Sequence, residues 1–265
     1  MPKQNASKAI NWDELYTQYA TKAFIENDPI QLPWRYKHSS QAEQEFVSFL
    51  VCMFAYGGRS KIIETTSNIL DTLGPNPLET LLNSTPKQWQ KERWFWGFYY
   101  RFNTRPDLLF LLSALQASFQ KYGTLENLWL KTAAKNNYQE SLSFFQKGII
   151  ELATLPMPAS YGMQFMLAEP QKGSAAKRLN MFMRWVVRAD AVDLGLWKKS
   201  VSPSDLRIPL DTHISRLSRL HGLTTRKSND WKTVEEITNY LRKLCPDDPI
   251  RYDLAMMGLG TEKTV

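Results

Sequence analysis

Residues 207–216 read Arg-Ile-Pro-Leu-Asp-Thr-His-Ile-Ser-Arg, and the local structure of the second half of the chain can be worked out from them. Pro209 keeps the residue before it extended, because that residue is pushed out of the α region. Ile214 and Leu217 follow at helical spacing, so Asp211 stands where a helix begins and is predicted to be its N-cap. Most aspartates at such positions only cap the helix. A rigidly held carboxylate can also take part in catalysis, and this stretch alone leaves both interpretations open.

Helical signals extend from this stretch through the rest of the chain. Ser40-Gln41-Ala42-Glu43 is a capping-box pattern, and apolar residues at helical spacing follow it from Phe46 to Phe54. Gly74-Pro75 stops one helix, and Pro86 takes the first position of another. Alternating runs bounded by tight turns, which are typical of strands, are scarce. We therefore predict an all-α protein of about ten helices.

A change of composition at Pro156-Met157-Pro158 predicts a seam between two helical lobes. The first lobe would cover about residues 40–155, and the second residues 156–265 together with the N-terminal segment. No repeat of constant period is found, so a solenoid is not expected. Residues 1–265 are expected to form one unit.

The charge of the chain is positive and unevenly distributed. The 265 residues carry a net charge of +7, with a pI of about 9.3. Residues 171–245 hold 15 Lys and Arg against 7 Asp and Glu, a local excess of +8. This balance favours an anionic partner, of which nucleic acid is the commonest, and places the anion-facing surface in the second lobe.

Several classes of protein are excluded by what the sequence lacks. Cys52 and Cys245 are too few for a disulfide framework, a four-thiolate zinc site or an iron–sulfur cluster, and Cys52 is expected in the core. His38 and His221 have no ligands at metal-binding spacing, so no metal site is predicted. The polar start Met1–Asn5 has no signal core, and no apolar run has the length of a membrane span. We expect a cytoplasmic protein without a membrane partner.

A second stretch of chemical interest covers residues 171–179, Gln-Lys-Gly-Ser-Ala-Ala-Lys-Arg-Leu. It predicts a turn of small residues that leads into a helix, whose first amides could hold a phosphate. Lys177 lies in the first turn, where a cation opposes the helix dipole. A lysine amine held at such a position is a candidate nucleophile. The alternative is an ordinary solvated lysine.

Together the two stretches resemble the helix-hairpin-helix DNA glycosylase superfamily, which includes endonuclease III and the archaeal 8-oxoguanine glycosylase. Gly173 and Lys177 match its Gly-x-Gly-x-Lys hairpin, and Asp211-Thr212-His213 matches its downstream Asp-bearing element. Arg216 is similar to an arginine often found one turn later. The strings around Lys177 and Asp211 resemble an uncharacterised bacterial branch of the superfamily almost in full.

The chain departs from this pattern in three respects. Ala175 stands where the second glycine of the hairpin is expected. Lys177 and Asp211 are 34 residues apart, which is longer than in endonuclease III-like enzymes and similar to the archaeal branch. Residues 185–204 supply the extra length, and Lys177 and Asp211 could still meet if this insertion loops out. The long spacing makes Lys172 a second candidate for the amine. The four-cysteine loop of endonuclease III is absent, so no iron–sulfur cluster is expected.

The resemblance implies a two-lobed glycosylase-like fold and a role in base-excision DNA repair. The enzyme would remove a damaged base, such as 8-oxoguanine, from double-stranded DNA and would also have β-lyase activity. Lys177 would attack the anomeric carbon of the sugar. Asp211 would stabilise positive charge on the sugar and accept a proton from the amine.

The resemblance also implies partners and contacts. A K⁺ or Na⁺ ion could lie at the hairpin carbonyls, and no other cofactor is expected. The protein would act as a monomer at the bacterial nucleoid. The aromatic stretch Trp94–Tyr100 could contact an extruded base, although most of its rings are expected in the core. The residues expected to contact DNA are Lys172, Gly173, Ala175, Arg178, His213 and Arg216.

Two other functions remain open from the sequence. The chain could be a helix-hairpin-helix DNA-binding protein that has no catalytic activity. Charge and aromatic content alone would also suit an RNA-binding helical protein.

Overall fold

The computed structural model describes residues 10–91, 93–135 and 137–262, and the polar start Met1–Asn5 lies outside them. Within these residues the protein is mostly helical, which confirms the all-α prediction. One small antiparallel hairpin pairs β1 (Tyr99–Tyr100) with β2 (Asn103–Thr104). The helices are α1 (Trp12–Tyr19), α2 (Lys22–Ile25), α3 (Gln31–Arg35), α4 (Gln41–Met53), α5 (Arg59–Leu73), α6 (Pro77–Leu82), α7 (Pro86–Lys91), α8 (Arg105–Tyr122), α9 (Leu125–Thr132), α10 (Tyr138–Glu151), α11 (Tyr161–Met166), α12 (Lys177–Val187), α13 (Thr212–Leu220), α14 (Trp231–Leu244) and α15 (Tyr252–Glu262).

Local sequence signals account for most of the helix ends. Ser40 accepts a hydrogen bond from the Glu43 amide at 3.2 Å, as the capping pattern predicted, and Gly74 ends α5 with a φ of 85°. More helices form than the ten predicted, because α2, α3, α6, α7 and α11 have only four to six residues. Helices of one turn are too short to display a helical period.

Helix α4 lies at the centre of the fold. Ten of its thirteen residues are buried, including Cys52, which confirms the core position predicted for this thiol. The helix packs against α3, α5, α6 and α9 on one side and against α12 on another. A continuous hydrophobic core therefore joins the two predicted lobes through the α4–α12 contact. At the far side of α12, α15 packs against both α1 and α13.

The segment between α12 and α13 does not loop out but packs against the core of the fold. Trp197 is completely buried, and its Nε1 donates to Glu45 Oε1 at 2.7 Å. The amides of Leu194 and Trp197 donate to the Trp185 and Val186 carbonyls at 2.8 and 2.7 Å. These bonds satisfy carbonyls that the end of α12 would otherwise leave free. The extra length therefore folds back under α12 and supports the helix that carries Lys177.

Two buried arginines, Arg184 in α12 and Arg188 just after its end, are neutralised by aspartates of this segment and of the C-terminal part of the chain. Arg184 pairs with Asp193 at 3.2 Å and also with Asp253. Arg188 pairs with Asp193 and, through its Nε, with Asp248 at 2.9 Å. Paired in this way, the buried charges are tolerated, because each guanidinium has a hydrogen-bonded counter-ion.

Among the helices of the described residues, none combines the length with the apolar character that a bilayer span requires.

Candidate functional site

A cavity of about 860 Å³ opens where the end of α4 meets the starts of α12 and α13. Ala55 and Tyr56 line it from the α4 side, Lys177 and Arg178 from α12, and Asp211 from the start of α13. Both residues that the sequence proposed for catalysis therefore face the same space, although they are 34 positions apart.

Asp211 caps α13, as the sequence predicted. Its backbone is extended, and its Oδ1 accepts hydrogen bonds from the His213 and Ile214 amides, both at 2.9 Å. One carboxylate oxygen thus satisfies two amides that the helix start would leave without partners. The other oxygen, Oδ2, is directed to the cavity, and the side chain remains 42% exposed.

Lys177 is the first residue of α12. Its Nζ donates to the Ala55 carbonyl at 3.1 Å and lies 4.0 Å from Asp211 Oδ2. The side chain is 27% exposed, so it is largely enclosed by the cavity wall. The Ala55 carbonyl fixes the position of the amine. The distance from the amine to the carboxylate is at the upper limit for an ion pair.

The turn that precedes Lys177 has an unusual backbone. Ala176 has a φ of 44° and a ψ of 42°, a left-handed conformation that costs a non-glycine residue on the order of 1 kcal/mol. Gly173 is also left-handed, with a φ of 89°. The turn is held in place by the Trp231 amide, which donates to the Gly173 carbonyl at 2.9 Å, and by Asn180 Nδ2, which donates to the Ala175 carbonyl at 3.1 Å. These bonds stabilise the strained conformation that directs Lys177 into the cavity.

The same hydrogen bonds involve carbonyls at which the resemblance implied a monovalent cation. The carbonyls of Gly173 and Ala175 already accept protein hydrogen bonds. Among the residues that the structure describes, no group of three His, Cys, Asp or Glu side chains could hold a metal ion.

The other residues expected to contact DNA lie in different surroundings. Lys172, the second candidate for the amine, is 82% exposed, pairs with Glu169 at 3.0 Å and does not line the cavity. Arg216 is exposed on α13, also outside the cavity. His213 lines the cavity and lies so close to α15 that a Cβ at Gly260 would be 1.8 Å from its Nε2.

Arg178 occupies an interior position. Only 8% of the residue is exposed, and its Nε donates to the Met166 carbonyl at 3.1 Å. The guanidinium lies 4.1 Å from the centre of the Phe165 ring and 5.3 Å from that of Tyr56. Burial lowers the pKa of Arg178 to about 10.

The aromatic side chains of the cavity were missed by the sequence analysis. Tyr56, Phe102 and Phe165 line it, and the rings of Tyr56 and Phe102 stack with their centres 5.5 Å apart. Tyr161 packs against Phe165 and Phe102 at its edge. These rings come from three separate segments, so no local pattern in the sequence could have grouped them.

The aromatic stretch 94–100 that the sequence did single out lies elsewhere. Trp96 and Tyr99 are 66% and 69% exposed, whereas Tyr100 is buried. Their neighbours Phe95 and Phe98 border a smaller groove against α5. None of the residues in this stretch lines the cavity that holds Lys177 and Asp211.

Comparison with known proteins changes the family assignment. A family profile described as a protein of unknown function (DUF2400) matches residues 28–262, which is most of the chain. No profile of the helix-hairpin-helix DNA glycosylase superfamily was found, so the resemblance to that superfamily was wrong as a family assignment. No curated protein and no solved structure matches the chain.

Proposed function

The chain is a member of the DUF2400 family, and we propose that it is a DNA glycosylase with lyase activity that removes a damaged base from double-stranded DNA. One observation carries the proposal: Lys177 Nζ and Asp211 Oδ2 are 4.0 Å apart in one open cavity of about 860 Å³. Cleavage of a base–sugar bond needs a nucleophile and an anionic group that reach the same sugar. The proposal rests on this geometry and on the charge of the surface, and not on family membership.

The position of Asp211 suits the electrostatic part of such a reaction. As the base leaves, positive charge develops on the sugar, and a fixed carboxylate stabilises it most when little reorganisation is required. The two hydrogen bonds that Oδ1 accepts from backbone amides hold the side chain rigidly, and Oδ2 is left facing the cavity. Capping and catalysis therefore use different oxygens of one side chain.

The position of Lys177 suits the covalent part. Its neutral amine would form a bond to the anomeric carbon while the bond to the base breaks, and the base departs with the electron pair and takes up a proton. Asp211 Oδ2 would accept the proton that the amine loses. The C1′–O4′ bond of this adduct then breaks, with the proton held by Asp211 delivered to O4′, and the nitrogen lone pair forms the Schiff base. A proton can then leave the C2′ carbon and the 3′ phosphate can depart, which is β-elimination. The Ala55 carbonyl would orient the amine throughout.

The surroundings of the cavity support DNA as the substrate. The local excess of +8 over residues 171–245 contains Lys172 and Arg216, which are exposed outside the cavity and could meet phosphates. The Gly173 amide is not available for such a contact, because it donates to the Pro170 carbonyl at 2.8 Å. We further propose that the lesion is an oxidised purine such as 8-oxoguanine and that the protein acts as a monomer in the bacterial cytoplasm. The chemistry needs no metal, so chelation by EDTA should not change its rate.

The proposal is tested by borohydride trapping on duplex DNA that contains an abasic site, together with base release from a panel of lesions. Wild-type protein is expected to give a covalent adduct, and Lys177→Ala should give none. Lys172→Ala is the matched control, since this lysine lies five positions earlier on the exposed side of the same turn, and it should retain the adduct. Absence of an adduct and of base release on every lesion would leave a DNA-binding protein without catalysis. Equal affinity for structured RNA and duplex DNA would favour an RNA-binding role instead.

A further inference from the structure

Arg178 differs from two other buried arginines nearby, one within α12 and one just after its end. Arg184 and Arg188 are each neutralised by two or more aspartates. Arg178 is 8% exposed, yet it pairs with no carboxylate among the residues that the structure describes. A buried cation without a counter-ion lowers the stability of a fold, and a bound ligand with acceptor atoms would offset that cost.

The free part of this guanidinium faces the cavity. Its Nε is engaged with the Met166 carbonyl, which leaves the N–H groups of its two terminal nitrogens for another acceptor. Arg178 lines the same cavity as Lys177, its neighbour in sequence. A ligand that fills this cavity could therefore contact both side chains.

The rings around Arg178 restrict what that ligand can be. The guanidinium packs over Phe165 at 4.1 Å and near Tyr56 at 5.3 Å, and Phe102 stacks on Tyr56. This wall is aromatic, and it suits a flat heterocycle better than a hydrated phosphate. Arg101, whose guanidinium is 5.5 Å from the Phe102 ring, is exposed at the rim and remains available to a phosphate.

From these contacts the geometry points to a base-reading subsite in which Arg178 donates to carbonyl oxygens of a base stacked against Tyr56, Phe102 and Phe165. Arginine supplies only donors, so it favours bases with acceptors on one edge. Adenine, whose amino group is a donor, would be disfavoured. This inference rests on the proposed function, because the base would belong to the nucleotide whose sugar meets Lys177. It names the class of substrate, a base that bears carbonyl groups, such as 8-oxoguanine.

The test measures affinity for duplexes that cannot be cleaved. Each duplex carries, at one position, a 2′-fluoro nucleotide with 8-oxoguanine, the same nucleotide with adenine, or a tetrahydrofuran site without a base. The ratio of dissociation constants reports base recognition apart from phosphate contacts. Wild-type protein should prefer the 8-oxoguanine duplex over the other two by roughly 5- to 150-fold, the range expected for a bidentate arginine contact.

Two variants separate the subsite from general DNA binding. Arg178→Met removes the donors at similar volume and should bring the preference ratio close to one. Arg216→Met removes an exposed cation of α13 and should weaken binding to all three duplexes while the ratio stays as in wild type. A ratio that persists in Arg178→Met, or a wild type without preference for 8-oxoguanine, would overturn the inference while leaving trapping on abasic DNA intact. If wild-type protein neither binds duplex DNA nor forms the trapped adduct, the proposed function itself fails.

Thermal unfolding of the variants distinguishes a ligand-binding role of Arg178 from a structural one. Arg178→Met should unfold at the same temperature as wild type or higher, because it removes a buried charge that has no carboxylate partner. Arg184→Met leaves Asp193 and Asp253 with one guanidinium fewer and should unfold at a lower temperature. A loss of stability in Arg178→Met as large as that in Arg184→Met would mean that Arg178 has a structural role and would contradict the inference.

Discussion

Replacing Asp211 by asparagine and by alanine should separate its two roles. Asparagine keeps an oxygen at the Oδ1 position, where it can accept from the His213 and Ile214 amides, which now lie 2.9 Å away. Alanine removes that acceptor. Both substitutions remove the negative charge that stands 4.0 Å from Lys177 Nζ. The difference in thermal stability between the two variants therefore measures the cap. The loss of activity that both variants share measures the effect of the charge.

The magnitudes follow from these contacts. Asparagine and aspartate are about equal as N-caps, and loss of a cap to alanine costs about 1 kcal/mol. For a chain of this size, that difference corresponds to roughly 2–4 °C in the midpoint of thermal unfolding. Loss of one preorganised electrostatic group lowers an enzymatic rate by about 10²–10³-fold. Asp211→Ala should thus melt a few degrees below Asp211→Asn, while base release falls by the same large factor in both.

The assay combines thermal unfolding followed by circular dichroism with single-turnover base release from a lesion-bearing duplex. Equal midpoints for the asparagine and alanine variants would refute the cap argument. Base release in Asp211→Asn within a few-fold of wild type, with the fold intact, would refute the catalytic role of the carboxylate. That second outcome would favour a DNA-binding protein without catalysis.

Three further perturbations test the fold that supports the site. Trp197→Ala removes a completely buried ring and should lower the free energy of unfolding in urea by about 3–5 kcal/mol. Gly162→Ala places a Cβ 2.3 Å from the Phe102 carbonyl, so it should destabilise the protein by about 1–3 kcal/mol, which thermal unfolding would detect. Although desolvation acts in the opposite direction, hydrogen bonds hold the pKa of Asp230 below its usual value of 3.8. The contribution of Asp230 to the free energy of unfolding is therefore present above that pH and lost as the pH falls below it. The difference in free energy of unfolding between wild type and Asp230→Ser should shrink in acid. A difference that does not change with pH would contradict this.

The sequence predicted the all-α class and the cap at Asp211 because both depend on local patterns. Residues three or four apart share a helix face, and a carboxylate before a helix finds the free amides within its own turn. The path of residues 185–204 could not be predicted in this way. Trp197 is buried through its contact with Glu45, which lies 152 positions away, and no local signal distinguishes this tryptophan from an exposed one.

The candidate site was predicted in part for the same reason. Lys177 and Asp211 were singled out by the turn and the cap next to them, and the structure brings them into one cavity. The surroundings of Arg178 depend on long-range packing. Its partners Phe165 and Tyr56 reach it from α11 and from the end of α4, so the sequence could only group it with the surface cations of the turn.

In the proposed reaction the Lys177 amine forms a covalent bond to the sugar of a damaged nucleotide. This bond is detected by treating wild-type protein on an abasic duplex with borohydride, which reduces the Schiff base to a stable adduct. The adduct is then digested, and the modified lysine is located by mass spectrometry. We expect modification at Lys177, with Lys172 in the same turn unmodified. Modification at Lys172 or at scattered surface lysines, or no adduct under conditions in which the protein binds the duplex, would contradict it.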